Sequence, residues 1–339
     1  MSDIRDIAKE AGVSKSTVSR VLNNNGPVNH STRKRIEEAM ATLNYSPNVF
    51  AQGMRSNRSR SIGILYPDLS NPFFPEWYKT IEKISRAKGY MNYICVTDPE
   101  GKSEDKTIKD LLGRRIDGLI YFSFALRPEI HKKLRLISKE IPVVFCDPTP
   151  EYSSDDNYIT SNGYSGTCEA VKFLIKQGRR KIAYIRGEKK FAVTTDRLKG
   201  YMACLNDSGF EINEEYIVEG YFHQMGGYEA AKQLMELVPR PDAILAANDI
   251  MALGVLRYLK DAKVNVPQDV AVIGFDNISL SAISDPPLTT IALPIVEMAS
   301  LTIDYLINKI ENKTIEPIHE ILDCKLILRE STLSPINEI

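Results

Sequence analysis

Ala8, Gly12 and Val18 stand at the spacing that a helix-turn-helix requires. Two short helices crossing steeply come so close that the first has room only for a small side chain, here Ala8. The turn between them needs positive φ, which glycine adopts without steric cost, hence Gly12. Val18 fills the gap between the helices, and Ile4, Ile7 and Val21 extend the apolar stripe at helical period. Ser14 is positioned to cap the second helix, whose outward residues Lys15, Ser16 and Arg20 can reach base edges.

The charge distribution agrees with that reading. The chain has 339 residues and a net charge of −1. Residues 1–60 hold ten Lys/Arg against five Asp/Glu, which leaves this head at +5 and the rest of the chain at −6. A basic head on an acidic body fits polyanion binding by the head alone. A third helix is expected from an N-cap at Ser31 to about Asn44, with Ile36, Met40 and Leu43 inward. Its Arg33-Lys34-Arg35 cluster lies near a phosphate backbone or simply in solvent. Pro47 can open a further short helix, but Gly53 weakens it by ~1 kcal/mol, and so short a helix is unstable alone. Residues 46–60 therefore read as a linker that becomes helical only when held by a partner.

From residue 61 the rhythm changes. Apolar runs of strand length (61–67, 91–98, 117–123, 141–147, 181–187, 241–248 and 269–277) alternate with amphipathic helices, the signature of parallel sheets covered on both faces. A last strand is expected over about 318–327, followed by a tail without heptads. A polar stretch near 148–163 suggests two α/β lobes with a hinge between them. Ligands in such folds sit at the carboxyl ends of strands, several of which end here in polar residues: Asp98, Ser123, Asp147, Asn248-Asp249 and Asp276-Asn277.

Five scattered cysteines and four isolated histidines form no metal spacing, and the cysteines read as free thiols. No nucleophile elbow, phosphate loop or cofactor motif appears, so an enzyme is not expected, nor a cofactor or metal. The first residues carry no apolar signal region and no stretch approaches membrane-spanning length, which predicts a cytoplasmic protein without membrane contact.

Over essentially its full length the chain resembles the LacI/GalR family of bacterial transcriptional repressors. The matching stretches are Asp6-Ile7-Ala8, Ala11–Ser14, Thr17–Val21, Asn44–Asn48, Ser70–Phe74, Asp196–Tyr201, Asn248–Gly254 and Gly274–Asn277. The resemblance implies an all-α helix-turn-helix head (1–45), a hinge helix (46–60) and a two-lobed core like the type I periplasmic binding proteins (61–339). The first lobe would hold about 61–161 and 292–322, the second about 162–291 and 323–339. It also implies a homodimer on a pseudo-palindromic operator in the bacterial nucleoid. Lys15, Ser16, Thr17 and Arg20 would contact DNA in the major groove, with Asn48, Ala51 and Met54 at the hinge. Met54 stands where the family usually has a leucine wedge for the minor groove, and Ala51 is the small residue that lets paired hinge helices touch.

An effector cleft would be lined by Phe73, Phe74, Asp147, Arg197, Phe222, Asn248 and Asp276. Sugars need bidentate polar partners for their hydroxyl pairs and apolar faces to stack on, and this set supplies both. Phe191 replaces the arginine of purine-responsive members, which points to a sugar, sugar acid or sugar phosphate. Lys189-Lys190 would help an acidic effector if they faced the cleft rather than solvent. The competing reading is a catabolite-control-type regulator whose effector is a phosphorylated carrier protein, but residues 295–303 offer no arginine for docking. Met251, Leu253 and 278–286 are the expected dimer contacts.

Overall fold

The computed structural model describes residues 3–22, 26–45, 58–97, 103–122, 128–146, 153–189, 191–312 and 314–333. The expected site residues Asn48, Ala51, Met54 and Asp147 lie outside this set. The chain forms two compact units, residues 1–60 and 61–339.

The first unit packs α1 (Ile4–Glu10), α2 (Lys15–Leu22) and α3 (His30–Thr42) around a small core of Ile7, Ala8, Ala11, Val18, Val21, Ile36 and Ala39. Asp3 and Asp6 form a reciprocal capping box at the start of α1. Gly12 has φ +62°, and the N–H of Val13 bonds back to the Ala8 carbonyl at 2.9 Å, closing the tight turn. Asn29, not Ser31, caps α3: its Oδ1 accepts from the Ser31 N–H at 2.9 Å and from the Ser31 hydroxyl at 3.0 Å. An amide side chain two positions earlier satisfies the Ser31 N–H of the first turn, so the helix starts at His30.

The second unit holds two six-stranded sheets, as the strand rhythm leads one to expect of a two-lobed α/β core. The first runs in the order β11 (His319–Asp323), β5 (Tyr158–Asn162), β4 (Val143–Phe145), β3 (Gly118–Tyr121), β1 (Ser61–Tyr66), β2 (Met91–Val96). Its strands are parallel, and successive side chains feed opposite cores. Ile62, Ile64 and Tyr66 pack under α4 (Phe73–Ala87) and α12 (Ile295–Glu311). Leu65 on the other face meets α5 (Glu104–Gly113) and α6 (Pro128–Ile137).

The second sheet runs β12 (Lys325–Ile327), β10 (Thr289–Ala292), β9 (Ala271–Asp276), β8 (Ala243–Ala246), β6 (Ile182–Arg186), β7 (Ile217–Glu219). It is covered by α7 (Gly163–Lys176), α8 (Ala192–Asp207), α9 (Gln224–Met235) and α10 (Asp249–Asp261), and only β12 runs antiparallel to its neighbour. A short α11 (Ser279–Ile283) follows β9.

Four strand positions differ from expectation. β5, β7 and β10 were not evident in the apolar pattern, and the polar stretch expected to end the first strand series leads into β5, inside the first sheet. The single strand expected over 318–327 is two, because the chain leaves the first sheet at Asp323 and enters the second at Lys325. The chain thus changes sheet three times: after β5, after β10 and between β11 and β12.

Candidate functional site

On the head, the second helix presents Lys15, Ser16 and Arg20 to solvent while Val18 and Val21 are buried beneath them. The Ser14 hydroxyl accepts from the Thr17 N–H at 3.1 Å, as an N-cap does, and also lies 2.8 Å from the hydroxyls of both Ser16 and Thr17. The three hydroxyls form a small polar platform at the amino end of α2, beside exposed Lys15. A helix N-terminus with exposed cations and hydroxyls is chemically suited to phosphate and to base-edge acceptors.

In the core, the sequence-predicted residues of the second lobe converge at the carboxyl end of its sheet. Arg197 on α8 and Asp276 at the end of β9 are 6% and 4% exposed, with Arg197 Nη2 3.6 Å from Asp276 Oδ1. The guanidinium also lies over the Phe275 ring at 3.6 Å and donates through Nη1 to the Ala247 carbonyl. Among the described residues its buried Nε has no partner. Burial pushes the Asp276 carboxyl up to about 7, against the opposing pull of Arg197, with Glu76 adding to the rise.

Asp276 and Asn277 hold φ +112° and +57°, the left-handed region that L-residues rarely adopt. Asp249 holds that backbone in place. It is fully buried, accepts from the Ile278 N–H at 2.9 Å and accepts from the Thr290 hydroxyl at 2.5 Å. Burial first, and the neighbouring Asp276 second, raise its pKa well above the carboxylate range. Arg329 braces the same loop by donating to Asn277 Oδ1 at 2.7 Å and to the Leu288 carbonyl at 2.7 Å. Asp249 was visible as a strand-end acid, but its anchoring role, and those of Thr290 and Arg329, left no local sequence signal.

Asn248 caps α10, accepting from the Met251 N–H at 2.9 Å, and its Nδ2 donates to the Phe222 carbonyl at 3.2 Å. One end of its amide thus caps the helix while the other holds Phe222, whose own φ is +59°. The Phe222 ring packs against Gly187, where a Cβ would meet it at 2.0 Å, and stacks near Phe191 at 6.0 Å. In the first lobe Phe74 is only 2% exposed, packed among Tyr66 and Phe122, so Phe73 carries the accessible aromatic face. Lys189 is exposed on its loop. Met251, expected at a subunit contact, is fully buried in the second lobe's core, because its place on α10 faces the sheet.

A helix-turn-helix unit joined to a two-lobed α/β core with buried polar groups gathered at the carboxyl end of its second sheet is the architecture of a ligand-responsive DNA-binding protein. Residues 3–48 match the family described as bacterial regulatory proteins, lacI family, and residues 171–332 match the periplasmic binding protein-like domain. The chain is 35% identical to the ribose operon repressor of Escherichia coli (strain K12) over 93% of its own length and 95% of that protein's. It is 33% identical to catabolite control protein A of Priestia megaterium over 97% and 98% of the two lengths. Its fold matches a crystal structure of the lac repressor dimer bound to operator and the anti-inducer ONPF, with a TM-score of 0.86 at 27% identity, covering 98% of this chain and 99% of that one. The chain belongs to the LacI family: it is a DNA-binding transcriptional regulator and not an enzyme. No helix among its described residues is long and apolar enough to cross a membrane.

Proposed function

We propose that this regulator is a homodimeric repressor of a carbohydrate-utilisation operon, released from or recruited to its operator by a sugar bound between the lobes. The observation that carries this reading is Arg197: a guanidinium fixed by Asp276, Phe275 and the Ala247 carbonyl, with a buried Nε that has no acceptor among the described residues. A sugar hydroxyl supplies that acceptor, while Asp276 accepts from the adjacent hydroxyl and Phe222 and Phe73 offer stacking faces. The similarity to a ribose operon repressor makes a pentose the first candidate. The cleft of Phe73, Phe74, Asp147, Arg197, Phe222, Asn248 and Asp276 is then the sensor, and Lys15, Ser16, Thr17 and Arg20 are the operator contacts. Residues 46–60, with Asn48, Ala51 and Met54, transmit lobe movement to the paired heads, which act on the chromosome in the bacterial cytoplasm.

The effector must bind the two lobe arrangements with different affinity, since a ligand without that difference shifts nothing. The catabolite-control reading ranks second. Val296 and Glu297 give the exposed start of α12 an apolar and acidic surface, poorly matched to a phosphorylated protein. Exposed Leu280 and Ile283 on α11 provide apolar surface for a second subunit.

A thermal-shift screen over sugars, sugar acids and sugar phosphates, repeated with operator DNA, tests the proposal. A pentose or hexose should raise the melting temperature and change operator affinity. If only a phosphoprotein does so, the second reading replaces the first. In the same assay Arg20→Ala should weaken operator binding by about 10–100-fold per half-site, the worth of one base contact, and leave the ligand shift intact. Unchanged operator affinity would remove Arg20 from the DNA interface.

A further inference from the structure

Glu76 lies in the first turn of α4 on the first lobe, yet its hydrogen bonds are made to the second. Its Oε1 accepts from the Ser279 backbone N–H at 2.9 Å and from the Ser279 hydroxyl at 2.7 Å. Ser279 begins α11, directly after the strained Asp276-Asn277 turn that Asp249 and Arg329 hold in place. The contact therefore ties the first lobe to the braced Asp276–Ser279 loop of the second. Glu76 is also among the charges that disfavour ionisation of Asp276, so two carboxylates approach each other from opposite lobes.

The charge balance around this contact is uneven. Arg197 is committed to Asp276, Arg186 donates to Glu219 at 2.9 Å, and Lys189 stands in solvent. Among the described residues Glu76 makes no ion pair, and only the neutral Ser279 groups receive it. Among the described residues no cation is paired with it, Arg329 being engaged with Asn277 Oδ1, Ser281 Oγ and the Leu288 carbonyl. An anionic ligand brought beside Arg197 would also face that carboxylate, and like charges repel more strongly the less water lies between them.

We propose that Glu76 is an interlobe catch that holds the cleft closed through Ser279 and whose carboxylate excludes anionic effectors in favour of uncharged polyols. The anion exclusion rests on the sugar-effector reading; the catch does not. Closure aided by a protein–protein contact raises the fraction of binding-competent molecules, and apparent affinity rises in proportion to that fraction.

The protein carries its own reporter, since its single tryptophan is Trp77, next to Glu76. Full-length wild type, E76Q and S279A are titrated with D-ribose, D-ribonate and D-ribose 5-phosphate, with Trp77 fluorescence and calorimetry as readouts. Wild type should prefer ribose over both anions by about tenfold or more, and E76Q should narrow that ratio by about tenfold, the effect of roughly one uncompensated charge at short range. S279A keeps the charge, so it should weaken all three ligands alike and leave the ratio unchanged. An unaltered ratio in E76Q, or equal wild-type affinity for ribose and its phosphate, overturns the exclusion. The catch is decided without ligand: in the free full-length protein, amide exchange over residues 277–283 should accelerate by about threefold or more in E76A, as loss of a closing contact permits local opening. Unchanged exchange overturns it. If none of the three compounds binds wild type, the ribose-class reading and the anion exclusion fall together, while the exchange result still decides the catch.

Discussion

The two lobes share one architecture and use the carboxyl ends of their sheets in opposite ways. Among the described residues of the first, aromatic side chains dominate there: Tyr66 stacks on Phe122 at 4.9 Å, and Trp77 meets Phe122 edge-on at 4.3 Å, with the buried Glu104 carboxylate accepting from the Tyr121 hydroxyl at 2.9 Å. In the second it is filled by ions and hydrogen bonds, with Arg197, Asp249 and Asp276 all buried and the backbone beside them strained. One lobe supplies a rigid apolar floor; the other supplies the polar groups that a ligand must match. The division is one of degree: the first lobe's buried carboxylates Glu104 and Asp156 are each held by polar partners of that lobe, whereas at the second sheet's carboxyl end Arg197, Asp249 and Asp276 are buried side by side, where each charge needs partners of its own.

The comparison breaks if equal insults to the two lobes respond alike to pH. Phe122→Ala and Arg197→Ala should each cost about 3–5 kcal/mol in urea unfolding at neutral pH. The Phe122→Ala loss is a cavity and should not vary with pH. The Arg197→Ala loss should shrink in acid, because protonation of Asp276 removes the charge left without its partner. Effector binding should vanish only in Arg197→Ala.

Asp276→Asn sharpens the same contrast at smaller scale. The folded-state pKa of Asp276 is about 7, above its ordinary 3.8. The folded protein therefore holds that proton more tightly than the unfolded chain does. Its contribution favours folding in acid and is lost as pH rises from about 4 through about 7. Asp276→Asn should flatten this slope, and because it leaves the buried Arg197 guanidinium without its counter-ion it should destabilise the ligand-free protein above pH 7, by about 3 kcal/mol in urea unfolding. Sugar affinity in wild type should rise as the carboxyl ionises through the same range, and calorimetry across pH checks it.

The smallest effects come from phenol groups. Tyr201 donates to the Ile182 carbonyl at 2.7 Å, so Tyr201→Phe should cost about 1 kcal/mol. Tyr184 in the second lobe and Tyr66 in the first have buried hydroxyls without partners, and replacement of either by Phe should be neutral or slightly stabilising. A marked loss of sugar affinity in Tyr66→Phe would show that the apolar floor also contributes a ligand hydrogen bond.

What could be read in advance followed the range of the interactions. The head was legible because Ala8, Gly12 and Val18 act within one supersecondary unit, and steric rules at that scale are local. The core's alternation was legible because strands buried on both faces are continuously apolar. β10 was missed because Thr289 and Thr290 look polar, although both are buried and bonded to Arg329, Ser331, Thr332 and Asp249. β7 is a three-residue edge strand, too short to show a period. Within the cleft, Arg197, Asp276 and Phe222 were found through resemblance and strand-end logic, whereas Glu76 stood unnoticed in the first turn of an amphipathic helix, where an acid is ordinary.

By itself the sequence determined the helix-turn-helix, the succession of strands and helices and the family, because periodicity and turn chemistry act over a few residues. Only the tertiary structure decided which charges meet. Arg197 and Asp276 lie 79 positions apart and Glu76 and Ser279 lie 203 apart, brought together by sheet order and by a chain that changes lobe three times. At such separations no local pattern names the partner, since a buried ion finds its counter-ion through the packing of whole elements rather than through its neighbours in the chain.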